Sequence, residues 1–522
     1  MTAPYLLGID SGTSVVKSVV FDASGSEIAV ARRETPLISP QTGWSEADMS
    51  AMWEATAQTI AEVVQSVGAQ SIAAIGIAGT AAGFWPIDAV GRPVRRAILW
   101  NDGRAADIIS EWQSNGIYRR IFAVSGNAPF PGYTLSLLNW LSDNEPDVLE
   151  RTRWLLFHKD WLRYKLTGQI HADQSDVSYC PGDIRSGTYS AELFDLCEVS
   201  RWQAKLPPIL RSDAVAGEIT AEAAAQTGLH AGTPVVAGAV DVVASALGGG
   251  VYQPGQACSI LGTSFLNSLV VAEPSFQPPE SGVQAVLPGG TRLRSLVNTS
   301  GTLNLDWLVD NLALEERTAA QSSGRNVFDL IEETVRQVPP GARGIVYLPY
   351  LNSAGIISPF AEPTARAQFF GISIEHTRAD LMRAIYEGTA LAMRDCYDAI
   401  GQPVEEVTLV GGGARSAFWS QMFADVTGRR ILVTTGSEIG ARGAAILAGV
   451  GTGYYPSLGE AVRQAVHIAQ RYQPQPEYAK AYGAVYEIYR QLYLSARDIW
   501  RLRRRVLTEL PTSANEGAQH AG

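Results

Sequence analysis

The sequence predicts an α/β protein built from two related domains, and three observations support this prediction. A short phrase occurs twice, as Gly12-Thr13-Ser14 and as Gly262-Thr263-Ser264, and each copy lies between two apolar stretches. Each copy therefore predicts a strand, a tight polar turn and a second strand. Hairpins and helices are mixed along the chain, which differs from the simple alternation of a dinucleotide-binding fold. The length of 522 residues is enough for two or three domains with substantial cores.

In the first half, apolar patterning predicts an antiparallel meander of three strands, then a helix and further strands. The predicted strands are residues 5–9, 15–21, 27–31, 72–77, 85–88, 97–100 and 235–239, and the predicted helices are 48–66, 134–168 with a turn at 144–146, and 242–247. Residues 173–211 are rich in proline and glycine and predict an irregular insertion that shapes a substrate pocket. A run of three glycines at 248–250 places the domain boundary near residue 252, which gives domains 1–252 and 253–500.

The second half repeats this theme. Predicted helices cover residues 380–400, 418–426, 440–449 and 479–505, another follows Ser300-Gly301, and predicted strands cover 407–410 and 430–434. The last helix ends in four arginines, which predict a solvated helix end: Arg501, Arg503, Arg504 and Arg505. Residues 506–522 are predicted to be disordered.

Composition and charge narrow the classes of function. The formal net charge of −11 disfavours a nucleic-acid partner, which usually selects a basic surface. The four cysteines are scattered without a CxxC pair, so neither a zinc site nor a disulfide framework is indicated. We expect no membrane partner, because the weakly polar stretches are too short to span a bilayer. The chain begins in a strand without a leader pattern, and the expected compartment is the cytoplasm.

The repeated turns and two acidic residues indicate phosphate chemistry. Backbone N–H groups and hydroxyls in a tight turn can bind phosphate. Two such turns therefore predict two domains that bind one polyphosphate from both sides. Asp10 ends the first strand, where it either holds a magnesium ion or simply begins the turn. Asp241 lies between an apolar strand and a helix, where a carboxylate acts either as a general base in a cleft or as a helix N-cap.

Several motifs occur together and in one order. They are the turn at residues 8–17, the segment Trp100-Asn101-Asp102-Gly103-Arg104, the strand at 232–241 that ends in Asp241, Gly371-Ile372 followed by residues 380–387, and the glycine run at 410–416. With these motifs the chain resembles the FGGY carbohydrate kinases, from about residue 5 to about residue 490.

The resemblance implies a fold, substrates and residue roles. The fold implied is two ribonuclease-H-like domains of the actin-like ATPase fold, with the active site in the cleft between them. The N-terminal domain would bind the sugar or polyol, the C-terminal domain would bind ATP, and Mg²⁺ would be held by Asp10. Asp241 would be the catalytic base. The implied nucleotide-side residues are Gly12, Thr13, Ser14, Lys17, Gly262, Thr263, Gly301, Asn304, Gly412, Gly413 and Ser416.

Several residues that the resemblance places in the acceptor site also have an alternative, purely structural role. The residues of that site would be Thr80, Ala81, Trp100, Asp102, Arg104, Lys159, Asp160 and Asp241. Trp100 is alternatively a core residue, and Asp102 with Arg104 is alternatively a structural ion pair. On the nucleotide side, Lys17 is alternatively part of a solvated strand face, and Thr263 a turn residue.

Three departures from the family pattern bear on the acceptor. Leu137 stands where the family's first signature has lysine, Ala81-Ala82 replaces the Met-His pair of xylulokinases, and Val242 follows the catalytic acid in place of asparagine. The resemblance therefore implies a kinase for a xylulose-type ketopentose or a linear polyol such as erythritol, as a possible homodimer. The alternatives are a nucleotide-dependent binding protein on the actin-like fold and a catalytically silent sugar sensor.

Overall fold

The computed structural model describes residues 4–509 and contains two seven-stranded mixed sheets with helices packed on them. The strands of the first half are β1 (Tyr5–Ser11), β2 (Val15–Phe21), β3 (Glu27–Glu34), β4 (Glu46–Ala47), β5 (Ile72–Gly79), β6 (Trp85–Ile87), β7 (Ala97–Ile98), β8 (Trp154–Leu156), β9 (Ala172–Asp173), β10 (Gly182–Asp183), β11 (Thr188–Tyr189), β12 (Ile209–Leu210), β13 (Val215–Glu218), β14 (Pro234–Val236) and β15 (Ala239–Val240). Its helices are α1 (Met49–Val67), α2 (Ala106–Asn115), α3 (Ile117–Ser125), α4 (Thr134–Asn144), α5 (Pro146–Arg151), α6 (His158–Thr167), α7 (Gln174–Tyr179), α8 (Ala191–Leu196), α9 (Ala221–Thr227) and α10 (Asp241–Gly248).

The second half begins after a link at residues 249–256, in which the predicted boundary at residue 252 falls. Its strands are β16 (Ala257–Leu261), β17 (Phe265–Val271), β18 (Val283–Val286), β19 (Arg292–Asn298), β20 (Val346–Leu348), β21 (Gln368–Phe370), β22 (Glu406–Val410), β23 (Arg430–Thr434) and β24 (Ile468–Tyr472). Its helices are α11 (Leu303–Asn311), α12 (Leu314–Ser323), α13 (Val327–Val335), α14 (Arg378–Ile400), α15 (Ala417–Thr427), α16 (Ile439–Gly451), α17 (Leu458–Ala465) and α18 (Pro476–Glu509).

The two sheets share one topology. The first has the order β13-β14-β5-β1-β2-β3, with β15 also on β5, and the second has the order β18-β19-β17-β16-β22-β23-β24. In each sheet the first strand pairs antiparallel with the second and parallel with a later strand. The repeated phrase is the hairpin turn between β1 and β2 and between β16 and β17. This duplication confirms the predicted α/β fold of two related halves.

Several short elements differ from the predictions. The segment predicted as helix at 134–168 is broken by β8, which pairs antiparallel with β6. The insertion at 173–211 contains the short helices α7 and α8 and strands of two residues. Elements this short span fewer than two periods of their own pattern, so the sequence could not reveal them. The last helix continues to Glu509, beyond the predicted end at 505, and the rest of the predicted disordered tail lies outside the described residues.

Helix α16, from the second half, packs directly against the first sheet. A Cβ atom added to Gly8 of β1 would lie 1.9 Å from the carbonyl oxygen of Ala441, and one added to Gly443 would lie 1.8 Å from that of Ala244 in α10. Backbone therefore touches backbone, and no side chain larger than hydrogen fits at these two positions. Within residues 4–509, no helix combines the length and the apolar character needed to cross a membrane.

We expect Gly443→Ala to destabilise the protein, because the new methyl group would collide with the backbone of α10. Overpacking of this kind costs roughly 1–3 kcal/mol of the free energy of unfolding. Thermal unfolding followed by circular dichroism measures it as a lower midpoint. Gly483→Ala is the matched control, since an added Cβ there meets nothing within 4 Å and lies inside α18. Equal midpoints for the two variants would contradict the packing described here.

Candidate active site

Two carboxylates meet at the edge where three parallel strands end. β1 and β15 flank β5, and both Asp10 and Ala239 pair with Ala78. Neighbouring strands lie about 4.8 Å apart, and Asp241 follows Ala239 by two residues. Asp10 and Asp241 therefore lie at the same carboxyl edge of the first sheet. Helix α10 begins at Asp241 itself, with Val240 at the N-cap position, so the N-cap alternative for Asp241 is wrong.

The pKa values of both carboxyl groups are raised at this edge, where negative charge is unfavourable. Burial raises the pKa of Asp241 to about 7, the negative charge of Asp10 adds to the shift, and the N–H of Val242 opposes it by donating a hydrogen bond of 2.7 Å. Burial also raises the pKa of Asp10, although the nearby Lys17 lowers it. A carboxyl group that titrates near neutral pH is suited to accept a proton from a substrate hydroxyl.

The surroundings of Asp10 fit a magnesium ion. Asp10 lies against Gly440 in the first turn of α16, and a Cβ atom at Gly440 would be 2.7 Å from its Oδ2 atom. Within residues 4–509 there is no group of three or more histidine, cysteine, aspartate or glutamate side chains arranged to hold a metal. Protein sites for Mg²⁺ commonly supply one or two carboxylates, while water and substrate phosphates complete the shell. Asp10 provides one carboxylate of this kind.

The two glycine turns have the predicted form. In the first, the Gly12 N–H donates to the carbonyl of Val15 at 3.0 Å, and the Thr13 and Ser14 side chains stand at least partly open to solvent. In the second, the Gly262 N–H donates to Ser264, and Thr263 is exposed.

The second turn is tied to the loop before α11. The Gly301 N–H donates to the carbonyl of Thr263 at 2.6 Å, so Gly262, Thr263 and Gly301 lie together. Asn304 is buried below them. Its amide donates to the carbonyl of Ser300 at 2.9 Å, and its side-chain oxygen accepts from the Tyr347 hydroxyl at 2.9 Å. Asn304 thus supports the Gly301 loop, and its contact with a nucleotide stays a prediction.

Lys17 lines a cleft between the two halves. Its ammonium group lies 2.9 Å from Glu438, which also accepts a hydrogen bond from Arg32. The solvated-face alternative for Lys17 is therefore wrong. The cleft has a volume of about 310 Å³, and Lys17 and Gly412 both line it. Sequence reasoning missed Glu438, whose only signal was an acidic residue just before a helix of small residues.

The remaining nucleotide-side residues belong to the loop after β22. Gly413 packs beside Leu261, to which an added Cβ would come within 3.0 Å. Ser416 is the N-cap of α15, where its hydroxyl accepts from the Trp419 N–H at 2.9 Å and donates to Glu332 at 2.5 Å. Both residues position this loop, and their nucleotide contacts stay predictions.

Besides Asp241, three of the predicted acceptor residues lie at the carboxyl edge. The Trp100 indole donates to the Thr13 hydroxyl at 2.9 Å, and the ring is exposed, so the core alternative for Trp100 is wrong. Thr80 directly follows β5. Ala81 is half-buried and packs in the same hydrophobic cluster as Val242 and Tyr179.

Sequence reasoning also missed His158. Its ring lies 2.9 Å from Ser11 through Nε2 and 2.9 Å from Thr80 through Nδ1, and it stacks on Trp85 with a centroid separation of 4.4 Å. Burial lowers the pKa of His158 to about 3, and Lys159 adds to the effect, so the ring is neutral at physiological pH. His158 thus ties the end of β1 to the end of β5. Its only signal was its place in the segment His158-Lys159-Asp160-Trp161.

The other predicted acceptor residues lie in buried ion pairs. Arg104 donates to Asp102 and to Glu46 at 2.8 Å each, and its guanidinium lies 3.9 Å from the centroid of Trp44. Asp102 and Arg104 therefore form the structural ion pair that was the alternative prediction for them. Lys159 contacts a set of three carboxylates, those of Asp160, Asp173 and Asp176. Direct contact of these residues with an acceptor stays a prediction.

Two sheets with the same central topology, neighbouring carboxylates and two glycine turns agree with the actin-like ATPase fold. The model of the FGGY family of carbohydrate kinases matches with its N-terminal domain at residues 5–248 and with its C-terminal domain at residues 257–452. The chain belongs to the FGGY family of carbohydrate kinases, and it is a kinase.

Individual relatives span almost the whole chain. A xylulose kinase from Escherichia coli is 32% identical over 93% of this chain and 98% of its own length. An erythritol kinase from Brucella abortus is 30% identical over 95% of this chain and 97% of its own length. The crystal structure of xylulose kinase from Rhodospirillum rubrum is 28% identical, with a TM-score of 0.84 over 95% of this chain and 100% of that chain.

We expect Asp241→Asn to stabilise the ligand-free protein at pH 8. The folded state holds the pKa of Asp241 near 7, above its ordinary value of 3.8, so ionisation destabilises the fold increasingly as the pH rises from about 4 to about 7. The asparagine removes this cost, which is on the order of 4 kcal/mol above pH 7.

Thermal unfolding between pH 5 and pH 8 measures this effect. The midpoint of Asp241→Asn should exceed that of the wild type by a margin that grows with pH. Asp143→Asn, which changes an exposed carboxylate, should show no such trend. A margin that is constant or shrinks with pH would contradict the shifted pKa.

Proposed function

We propose that this protein phosphorylates a small ketose or linear polyol at a terminal hydroxyl, with ATP as donor, to give ADP and a sugar or polyol phosphate. The observation that carries the proposal is Asp241, a half-buried carboxyl group with a pKa of about 7 beside Asp10. The names of the Escherichia coli and Brucella abortus relatives support a xylulose-type ketopentose or an erythritol-like polyol as the acceptor.

In the proposed reaction Asp241 accepts the proton of the acceptor hydroxyl. The hydroxyl oxygen attacks the γ-phosphorus in line, a new P–O bond forms, and the bond to the β-phosphate oxygen breaks as ADP leaves. Phosphoryl transfer needs positioning and neutralisation of charge more than covalent help from the protein. Mg²⁺ bound at Asp10 would neutralise negative charge on the phosphates. Closure of the cleft would keep out water, the competing acceptor.

The nucleotide would lie between the two glycine turns. Gly12, Gly262 and Gly301 would let the phosphates approach the turns closely, and the hydroxyls of Thr13, Ser14 and Thr263 would face them. Gly412, Gly413 and the Ser416 cap would hold the adenosine side, because glycine allows close approach and α15 begins there. Lys17 would exchange its ion pair with Glu438 for a phosphate.

The acceptor would lie in the first half, between Asp241 and Trp100. Thr80, fixed by His158, would offer a hydroxyl, and Trp100 would form a wall for the carbon chain. Ala81 and Val242 make the surface beside Thr80 small and apolar, which favours an acceptor different from plain D-xylulose. We place the enzyme in the cytoplasm, where ATP is available, and its assembly as a homodimer stays a prediction.

The first test measures ADP release from Mg·ATP against a panel of acceptors. The panel contains glycerol, erythritol, the threitols, both xyluloses, both ribuloses and the pentitols. We expect strong turnover with one acceptor and a fall of roughly 10²–10⁴-fold in Asp241→Asn, which is typical for loss of a general base. Because the base must be ionised, kcat/KM should decrease as the pH falls below about 7.

Two results would contradict the assignment. Turnover that is independent of every acceptor would indicate a nucleotide-dependent binding protein. Unchanged turnover in Asp241→Asn would exclude Asp241 as the base. Binding of nucleotide to Asp241→Asn, followed by thermal shift, separates loss of chemistry from loss of the site.

A second test concerns Asp10. Gly440→Ala would place a methyl group 2.7 Å from Oδ2 of Asp10 and displace the carboxylate. Misplacement of this size lowers kcat by roughly ten- to a hundredfold, and we expect a higher Mg²⁺ concentration at half-maximal rate. Gly483→Ala is the control for the glycine replacement. An unchanged Mg²⁺ dependence would exclude Asp10 from the metal site.

A further inference from the structure

Tyr179 lies beside the carboxyl edge of the first sheet, and the proposed reaction assigns it no role. It is the last residue of α7, and its side chain is half-buried. The ring packs in the same hydrophobic cluster as Ala81 and Val242, the residue that follows Asp241. Within residues 4–509 no group forms a hydrogen bond with the Tyr179 hydroxyl, and this oxygen remains accessible to solvent. The hydroxyl is therefore available to a ligand.

Helix α7 carries Tyr179 on the face that contacts β15. The Ser175 hydroxyl accepts a hydrogen bond of 2.9 Å from the N–H of Val240 in β15. Ser175 and Tyr179 are four residues apart, so their side chains lie on one face of the helix, with Cβ atoms about 5–6 Å apart. Val240 directly precedes Asp241, at which α10 begins. The Tyr179 side chain therefore lies near the start of α10 and near the carboxylate there.

Hydrogen bonds anchor α7 at both of its ends. At the start, Asp173 caps the helix by accepting from the N–H of Ser175 at 2.8 Å. At the end, the hydroxyl of Ser178, next to Tyr179, accepts from the N–H of Val286 at 2.8 Å. Val286 belongs to β18, so the second half of the chain also holds this end of the helix. A side chain on such a support is preorganised, which lowers the entropy lost when a ligand binds.

The surroundings keep the Tyr179 phenol neutral. Burial raises the pKa of its hydroxyl, and the negative charge of Asp241 raises that pKa further. The phenol therefore keeps its proton at the pH of the reaction and can donate it to a hydrogen bond. Thr80, the other hydroxyl at this surface, already contacts His158 at 2.9 Å. Tyr179 thus presents an O–H group whose capacity to donate is unused within residues 4–509, among apolar neighbours that cannot accept a hydrogen bond.

We propose that Tyr179 determines acceptor specificity by donating a hydrogen bond to a second oxygen atom of the acceptor, close to the hydroxyl that Asp241 deprotonates. The inference rests on the proposed function, because it concerns the same site, and it adds a polar contact to those of Asp241 and Thr80. An acceptor without this second oxygen would leave the Tyr179 hydroxyl without a partner in a partly buried, apolar place. The site therefore selects the intact polyol or ketose over the analogue that lacks this oxygen.

Steady-state kinetics of Tyr179→Phe test the proposal, with the acceptor that the panel identifies and with its singly deoxygenated analogues. Phenylalanine keeps the ring and its packing and removes only the hydroxyl. We expect kcat/KM for the intact acceptor to fall roughly ten- to a hundredfold, the range for loss of one partner of a hydrogen bond. One deoxy analogue should lose a similar factor with the wild type and nothing further with Tyr179→Phe, because both changes remove the same contact.

Tyr252→Phe is the matched control. Tyr252 is also half-buried and packs in the same hydrophobic cluster, but its hydroxyl lies 3.1 Å from the Cβ atom that could be added to Gly459 in α17. Its kcat/KM should equal that of the wild type for every acceptor. The midpoint of thermal unfolding should be the same in the wild type and in both variants, which separates a contact with the acceptor from a structural role of Tyr179.

An unchanged kcat/KM in Tyr179→Phe, or an equal further loss with every deoxy analogue, would overturn the proposal. Failure of the proposed function looks different, because no acceptor then stimulates ADP release in the wild type. Thermal shift with the same acceptors decides about Tyr179 in that case. Stabilisation by an acceptor that is lost in Tyr179→Phe would support the contact, whereas equal stabilisation of both proteins, or of neither, would overturn it.

Discussion

The rest of the structure depends on the direct backbone contact between α16 and the first half of the chain. Gly8 and Gly443 carry no side chain, so α16 lies against β1 and α10 at a distance that other residues would forbid. This contact fixes α16 and α10 together, and α10 begins at Asp241. It also places the loop before α16, with Glu438, over the β1–β2 hairpin. This packing therefore brings Glu438 beside Lys17 and fixes the helix that begins at Asp241.

The same packing explains why the cleft is electrostatically costly. Asp10 and Asp241 lie half-buried near each other, and Lys17 forms an ion pair with Glu438. Two neighbouring carboxylates that are partly removed from water do not stabilise the ligand-free fold. This arrangement suits a site that accepts a proton from its substrate and binds a metal ion together with a polyanion. The proton and the metal ion supply the positive charge that the two carboxylates lack. The charged groups of the cleft therefore lower the stability of the ligand-free protein and serve the reaction instead.

The sequence predicted those parts of the fold and site that local patterns determine. The glycine turns, the antiparallel meander and the strand ending at Asp241 follow from turn residues and apolar periodicity, and the family motifs added the actin-like architecture. His158 could not be found this way, because its bond to Ser11 joins residues 147 positions apart. Glu438 is likewise linked to Arg32 across 406 positions. Tertiary packing brings such partners together, and a local sequence pattern does not predict that packing.

The buried ion pairs beside the proposed acceptor site bear on its selectivity. Arg104 is neutralised by Asp102 and Glu46, and Lys159 by three aspartates. Each cation would leave uncompensated buried carboxylates if it moved to a ligand, which is strongly unfavourable. These networks therefore act as a rigid wall. Under the proposed function, the choice among acceptors rests on Asp241, Thr80 and the apolar surface of Ala81 and Trp100. Hydroxyl positions that pair with polar groups discriminate strongly, whereas an apolar wall discriminates weakly between chain lengths. Stereochemistry at the hydroxyl nearest Asp241 should therefore matter more to this enzyme than the length of the carbon chain.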